Sequence, residues 1–307
     1  MIATTLRNGL FATAAAGALM VGFNISAAQA AALPFSIDPN VLVTGGGYPA
    51  SVTATDINGI SDATIHIVGP TTQTESGWLQ VQSLTNNGNP IGSATSGIVT
   101  NGSTGAGPNT YDPYFTFQGT VNGIGGFTPG NIGTIGPGDY TFKLLSDTAS
   151  DDTFLPGDAT TGANPTVGGN TANDRVLAVG TSVAGSAGFQ SVTGAPTFAV
   201  LASFVVCDGT TGQGVQGGTT VAAAGCGTFD ARSYFVSPTP FYAFDFNSST
   251  SGSINNLTVG PSGAATLNGI VADINFIPEP ASLSIFGAAL ALLAAFSWRR
   301  KKNSAAV

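Results

Sequence analysis

The chain has 307 residues and only 8% of them are charged, where an ordinary globular domain carries roughly 25%. That excludes coiled coils and charge-driven disorder, while 42% hydrophobic residues can fill a core and 43 glycines with 17 prolines supply turns. All 16 acidic residues fall between Asp38 and Glu279, against Lys143, Arg175 and Arg232 as basic ones there, so this stretch repels phosphate backbones and nucleic acid is excluded as a partner.

Residues 1–30 run from a start containing Arg7 through the apolar stretch 9–22 to Ala28, Gln29 and Ala30. A basic start, an apolar stretch too short to span a bilayer and an Ala-x-Ala site together form a cleavable export signal. The Sec machinery and signal peptidase are the expected partners of this segment, and the mature chain starts near Ala31.

From there the dominant pattern is period two. Strands are predicted at 52–57, 63–68, 78–84, 97–100, 114–118, 140–145, 175–180, 197–206, 228–236, 241–247 and 265–276, each bounded by Gly, Pro, Asn or Asp. No stretch of this region shows helical spacing with caps. Many short strands joined by turn-rich loops predict an all-β ectodomain over 31–276, an antiparallel β-sandwich or jelly roll with one wet face on each sheet. The polar stretch 147–174 either divides two lobes or forms one elaborated loop.

Candidate site residues follow in chain order. His66, the single histidine, alternates with Ile65 and Ile67 and is expected on the solvent side of its strand. Trp78 shares a strand face with Gln80 and Gln82. If Leu79 and Val81 face the core, that trio is a candidate sugar contact, the ring stacking on a saccharide while the amides bond its hydroxyls. The alternative is a tryptophan that seals the edge of the core. The group from Ile135 to Tyr140 has the form of a tyrosine corner, in which the hydroxyl reaches back to the backbone. Asp147, Asp151, Asp152 and Asp158, with Asn173 and Asp174 beyond, form either a solvated acidic loop or a Ca²⁺ site; Ca²⁺ is the only cofactor the sequence offers. Cys207 and Cys226 are expected to pair in an oxidising compartment, closing a glycine-rich loop. Asp230 and Arg232 share an outward strand face as a surface pair. Tyr234, Phe235, Phe241, Tyr242, Phe244 and Phe246 read as core packing about a Ser-Pro-Thr-Pro turn at 237–240. Asn101, Asn247 and Asn256 begin N-glycosylation tripeptides.

Enzymatic activity is not expected. One histidine rules out multi-histidine zinc, no nucleophile elbow is present, and bridged thiols leave no cysteine nucleophile. The aspartates permit a glycosidase pair but single out none.

The chain closes with Pro278, Glu279 and Pro280, then Ala281 and Ser282, an apolar run over 283–298, and Arg299, Arg300, Lys301 and Lys302. As a helix the run is about 24 Å long, a short single transmembrane anchor whose cations stay in the cytoplasm and whose ectodomain lies outside. Two prolines around Glu279 hold an extended segment above the membrane. Residues 277–302 thereby resemble the PEP-CTERM sorting signal. The resemblance implies a substrate of exosortase, a membrane-embedded cysteine transpeptidase of exopolysaccharide-producing Gram-negative bacteria. It also implies a transient inner-membrane anchor facing the periplasm, followed by the cell surface or the medium. The expected role is a structural envelope or matrix component associated with exopolysaccharide; the alternatives are a carbohydrate-binding or adhesive module and, more distantly, a secreted hydrolase.

Overall fold

A computed structural model describes residues 33–43, 45–99, 109–189, 191, 195–238, 243–248 and 257–277, with 243–248 and 276–277 as backbone only. Eight long strands organise it: β1 Asp56–Gly69, β2 Thr72–Asn86, β3 Asp112–Asn122, β4 Tyr140–Asp147, β5 Arg175–Phe189, β6 Pro196–Cys207, β7 Ala243–Ser248 and β8 Ala264–Ile277. Each pairs antiparallel with the next in the chain, and β8 pairs back onto β1 from Ala264↔His66 to Asn275↔Asp56. The sheet is therefore a closed up-and-down ring. The all-β antiparallel expectation holds, but the crossovers of a jelly roll are absent from these strands. Closure satisfies the edge groups that a sandwich leaves unpaired.

Alternation carries through the closure. Leu79 on β2 lies opposite Phe115 on β3, which lies opposite Leu144 on β4; Phe142 lies opposite Gly180 on β5, which lies opposite Phe204 on β6. These side chains point inward and are buried. The Phe204 ring rests on Gly180, where a Cβ would come within 2.9 Å of it, and packs 5.9 Å from Phe142 and 6.3 Å from Phe115. An eight-stranded ring is just wide enough to be filled by its own side chains, as here. Thr74, Ser76, Gln118, Thr141 and Lys143 point outward. Apolar inside and polar outside is the reverse of a membrane-spanning barrel.

Two predicted pieces differ. Where a strand is expected over 228–236, Asp230 caps a 3-10 turn at Ala231–Ser233 by accepting from the Arg232 amide, and only Phe235–Ser237 is extended. That strand joins Phe35–Ile37 and Val52–Ala54 in a small sheet beside the start of β1. Residues 93–96 form one helical turn in front of the predicted strand at 97–100, and only Ile98 bridges, to Tyr111. Of the strands expected at 52–57 and 63–68, everything from Asp56 onwards belongs to the single strand β1. The stretch 147–174 connects β4 to β5, neighbours in the same ring, and crosses the outside of the barrel. Among the described residues no helix is long and apolar enough to cross a membrane.

Candidate functional site

Three features stand out on the barrel, and the stretch 147–174 builds two of them. It carries a two-stranded hairpin, Thr153–Leu155 with Thr166–Gly168, laid over the outer faces of β1, β2 and β3. Trp78 does point outward from β2, yet it is only 6% exposed. The Phe154 ring packs 5.0 Å from the indole and 5.3 Å from Tyr114, and the indole N–H donates to the Leu155 carbonyl at 3.1 Å. Gln80 is 8% exposed and donates to the Asp112 carboxylate at 2.6 Å, while Gln82 donates to Gln80 at 3.4 Å. The trio faces away from the core as expected, but Trp78 and Gln80 are covered, so that with Gln82 half-buried beside them they present no open stacking face for a sugar. Period two fixes the face and is silent about what covers it. Farther along, Thr64 donates to Ala163 O at 3.1 Å, Ser262 to Ala159 O at 2.6 Å, and His66 Nε2 lies 3.0 Å from Asn164 Oδ1.

The base of this strap is acidic. Carboxylate oxygens of Asp147, Asp151 and Asp152 lie within 4.8 Å of one another. Asp147 is buried because it builds the turn: it accepts from the amides of Ala149 at 2.8 Å, Ser150 at 2.9 Å and Asp152 at 2.8 Å. Asp174 comes in from the start of β5 and accepts from the Tyr114 hydroxyl at 2.6 Å. Asp152 is 1% exposed, and burial, then the charges of Asp174, Asp147 and Asp151, push its carboxyl up to about 7. Burial also raises Asp174, and burial raises the Tyr114 hydroxyl well above its ordinary value. Asp158 does not join them. It sits exposed in its own turn, where the Thr160 amide and the Thr161 hydroxyl bond it and lower its carboxyl. Of the acidic residues grouped along the chain Asp158 stands apart, while Asp174, named beyond them, comes in beside Asp152. A hard cation such as Ca²⁺ takes six to eight oxygens, and among the described residues Asp147, Asp151 and Asp152 are the carboxylates close enough together to offer some of them.

The third feature is inside the ring and carries no local sequence signal. Glu75 on β2 lies two strands from Tyr140 on β4, with Gly119 of β3 between them. The Tyr140 ring lies on Gly119, where a Cβ would come within 2.2 Å of it, and its hydroxyl donates to Glu75 at 2.7 Å. The corner expected at Tyr140 is corrected accordingly: the hydroxyl reaches a carboxyl across the barrel rather than the nearby backbone. Burial pushes the Glu75 carboxyl up to about 7, opposed by that hydrogen bond. A cavity of about 30 Å³ adjoins it, lined by Ser61, Gln73, Phe117, Phe198 and Ile270 among others. Over the same strands, on the outer surface, His66, Thr74, Ser76, Gln118, Thr120 and Asp139 are among the residues bordering a polar groove of about 370 Å³.

Cys207 and Cys226 form a disulfide, with Cα atoms 5.4 Å apart. Arg232 pairs with Asp230 at 2.6 Å on the surface, within the capped turn rather than along a strand. Residues 1–30, Phe241, Tyr242, Asn101, Asn256, Pro278, Glu279, Pro280, the run 283–298 and Arg299, Arg300, Lys301 and Lys302 lie outside the described residues.

Residues 276–301 match the family model of the PEP-CTERM protein-sorting motif. The motif is that of exported proteins sorted by an exosortase through a membrane-anchored signal. No curated protein and no solved structure matches the chain.

Proposed function

We propose that the chain is a structural component of the cell envelope or extracellular matrix, associated with exopolysaccharide and delivered by its C-terminal signal. The observation that carries this reading is the sorting motif at 276–301, directly behind a closed, filled barrel. In it, residues 1–30 are removed by signal peptidase after Sec export, the run 283–298 holds the chain in the inner membrane facing the periplasm, and exosortase then passes the barrel to the surface of a Gram-negative cell. The proposed role is non-catalytic. A ring filled by its own aromatic side chains suits a durable matrix unit, since it has neither open edges nor a large interior space.

The test is fractionation of cells making the full chain and its Glu279→Ala variant. The parent is expected outside the cell without residues beyond Pro280, and the variant is expected to stay tailed and membrane-bound. Identical distributions would overturn the reading. For the association, barrels recovered from medium should sediment with purified host exopolysaccharide; recovery wholly in the supernatant counts against it. A carbohydrate-binding module is the second reading, favoured by the groove bordered by Thr74, Ser76, Gln118 and Thr120, whose amide and hydroxyl groups suit a neutral saccharide.

A further inference from the structure

The sorting motif and the last ring strand share residues. The match begins at 276, and β8 continues through Ile277, so Phe276 and Ile277 belong to both. Pro278 follows at once, with no spacer between the sheet and Pro-Glu-Pro. The two shared residues are held on one side only. Phe276 pairs with Phe244 and Ile277 with Ala243 of β7, whereas pairing with β1 stops at Asn275↔Asp56.

An enzyme that reads an extended peptide does so through main-chain groups and alternate side chains. At Phe276 and Ile277 the main chain is already paired within the barrel. Ile277 precedes Pro278 and is thereby biased towards extended backbone, so a sharp turn at Ile277 that would lift the strand end off β7 is disfavoured. The rim where β8 ends is also where β1 and β3 begin and β2 and β4 end, as the pairs Asp56↔Thr85 and Asp112↔Asp147 show. We infer that the membrane processing enzyme works against this rim and takes Phe276 and Ile277 out of their pairing with β7 before it cuts. Tail removal is thereby coupled to opening the end of the β7–β8 seam. Pairing with β1 from Asn275 backwards keeps the rest of β8 in place, so the opening halts there and the released barrel keeps its ring.

The inference rests on the sorting reading above, and the experiment separates the two. In cells that carry the matching enzyme, pulse–chase labelling follows loss of the tail from the full chain. It is compared with a chain in which a Gly-Ser spacer of about eight residues and a second Phe-Ile precede Pro278. The spacer gives the enzyme an unpaired copy of the leading residues and leaves the ring untouched. Tail loss is expected to speed up about tenfold, the worth of roughly two backbone hydrogen bonds. An unchanged or slower rate overturns the inference. Glu279→Ala is made in both chains. If it blocks processing in both while the spacer changes nothing, sorting stands and the seam coupling falls; if it leaves both rates as in the parents, the sorting reading itself falls and takes the coupling with it.

Discussion

Replacing Glu75 by Gln isolates the energetic consequence of a carboxyl sealed inside the ring. Glu75 is 7% exposed, and burial raises its pKa from 4.5 to about 7. The folded chain therefore holds this proton more tightly than the unfolded chain does. Its contribution to stability is complete below pH 4.5, declines as pH rises, and is gone once pH has passed through 7. Across that interval the loss is about 3 kcal/mol, a large share of a typical folding free energy of roughly 5–15 kcal/mol. Glu75→Gln cannot ionise, and its amide oxygen still accepts from Tyr140. The added NH₂ borders the 30 Å³ cavity, which has room for one water. Urea unfolding of both chains at pH 5, 6, 7 and 8 is expected to give similar free energies at pH 5. The parent then falls behind by about 3 kcal/mol at pH 8. Asp62, Asp152, Asp174 and Asp273 are raised too, but they are common to both chains and cancel. Parallel curves would refute the claim that Glu75 is held neutral by burial.

Other expectations concern the strap and the bridge. Trp78→Ala removes the indole under Phe154 and should cost about 3–5 kcal/mol, with faster limited proteolysis within 153–168; unchanged proteolysis would mean that the indole does not anchor the strap. Asp152→Asn, in chelator above pH 7, should raise the melting temperature because it removes a charge crowded by Asp174, Asp147 and Asp151; a lower value would contradict the crowding. The melting temperature in millimolar Ca²⁺ against chelator decides between the two readings of the acidic base: equal values are the outcome for a solvated acidic loop, and a rise that an Asp151→Asn/Asp152→Asn chain loses is the outcome for a cation site. Converting Cys207 and Cys226 to Ser opens a loop closed across 19 residues and should cost about 3 kcal/mol by thermal or urea unfolding, while an unshifted midpoint would show the bridge to be energetically idle.

How far the sequence carried depends on the range of the interaction that decides each feature. Alternation in residues 78–84, 114–118 and 197–206 was enough to place β2, β3 and β6 and to say which side chains point together, because strand periodicity is local. Two cysteines in an exported segment were enough for the disulfide. The tail was legible for the same reason: Pro278, Glu279 and Pro280, an apolar run and four cations are contiguous. The covered face of Trp78 and the exclusion of Asp158 were not legible, because each depends on where the long loop over 147–174 lies on a surface built from strands far away in the chain. Glu75 reads in the sequence as one polar residue among several, and only closure of β8 onto β1 and of β5 onto β6 turns its side of the strand into an interior. The amino-acid order settled which residues alternate and that the chain carries a sorting signal. Pairing between distant strands settled which alternating face became dry, since burial is a property of the closed ring and belongs to no single segment of it.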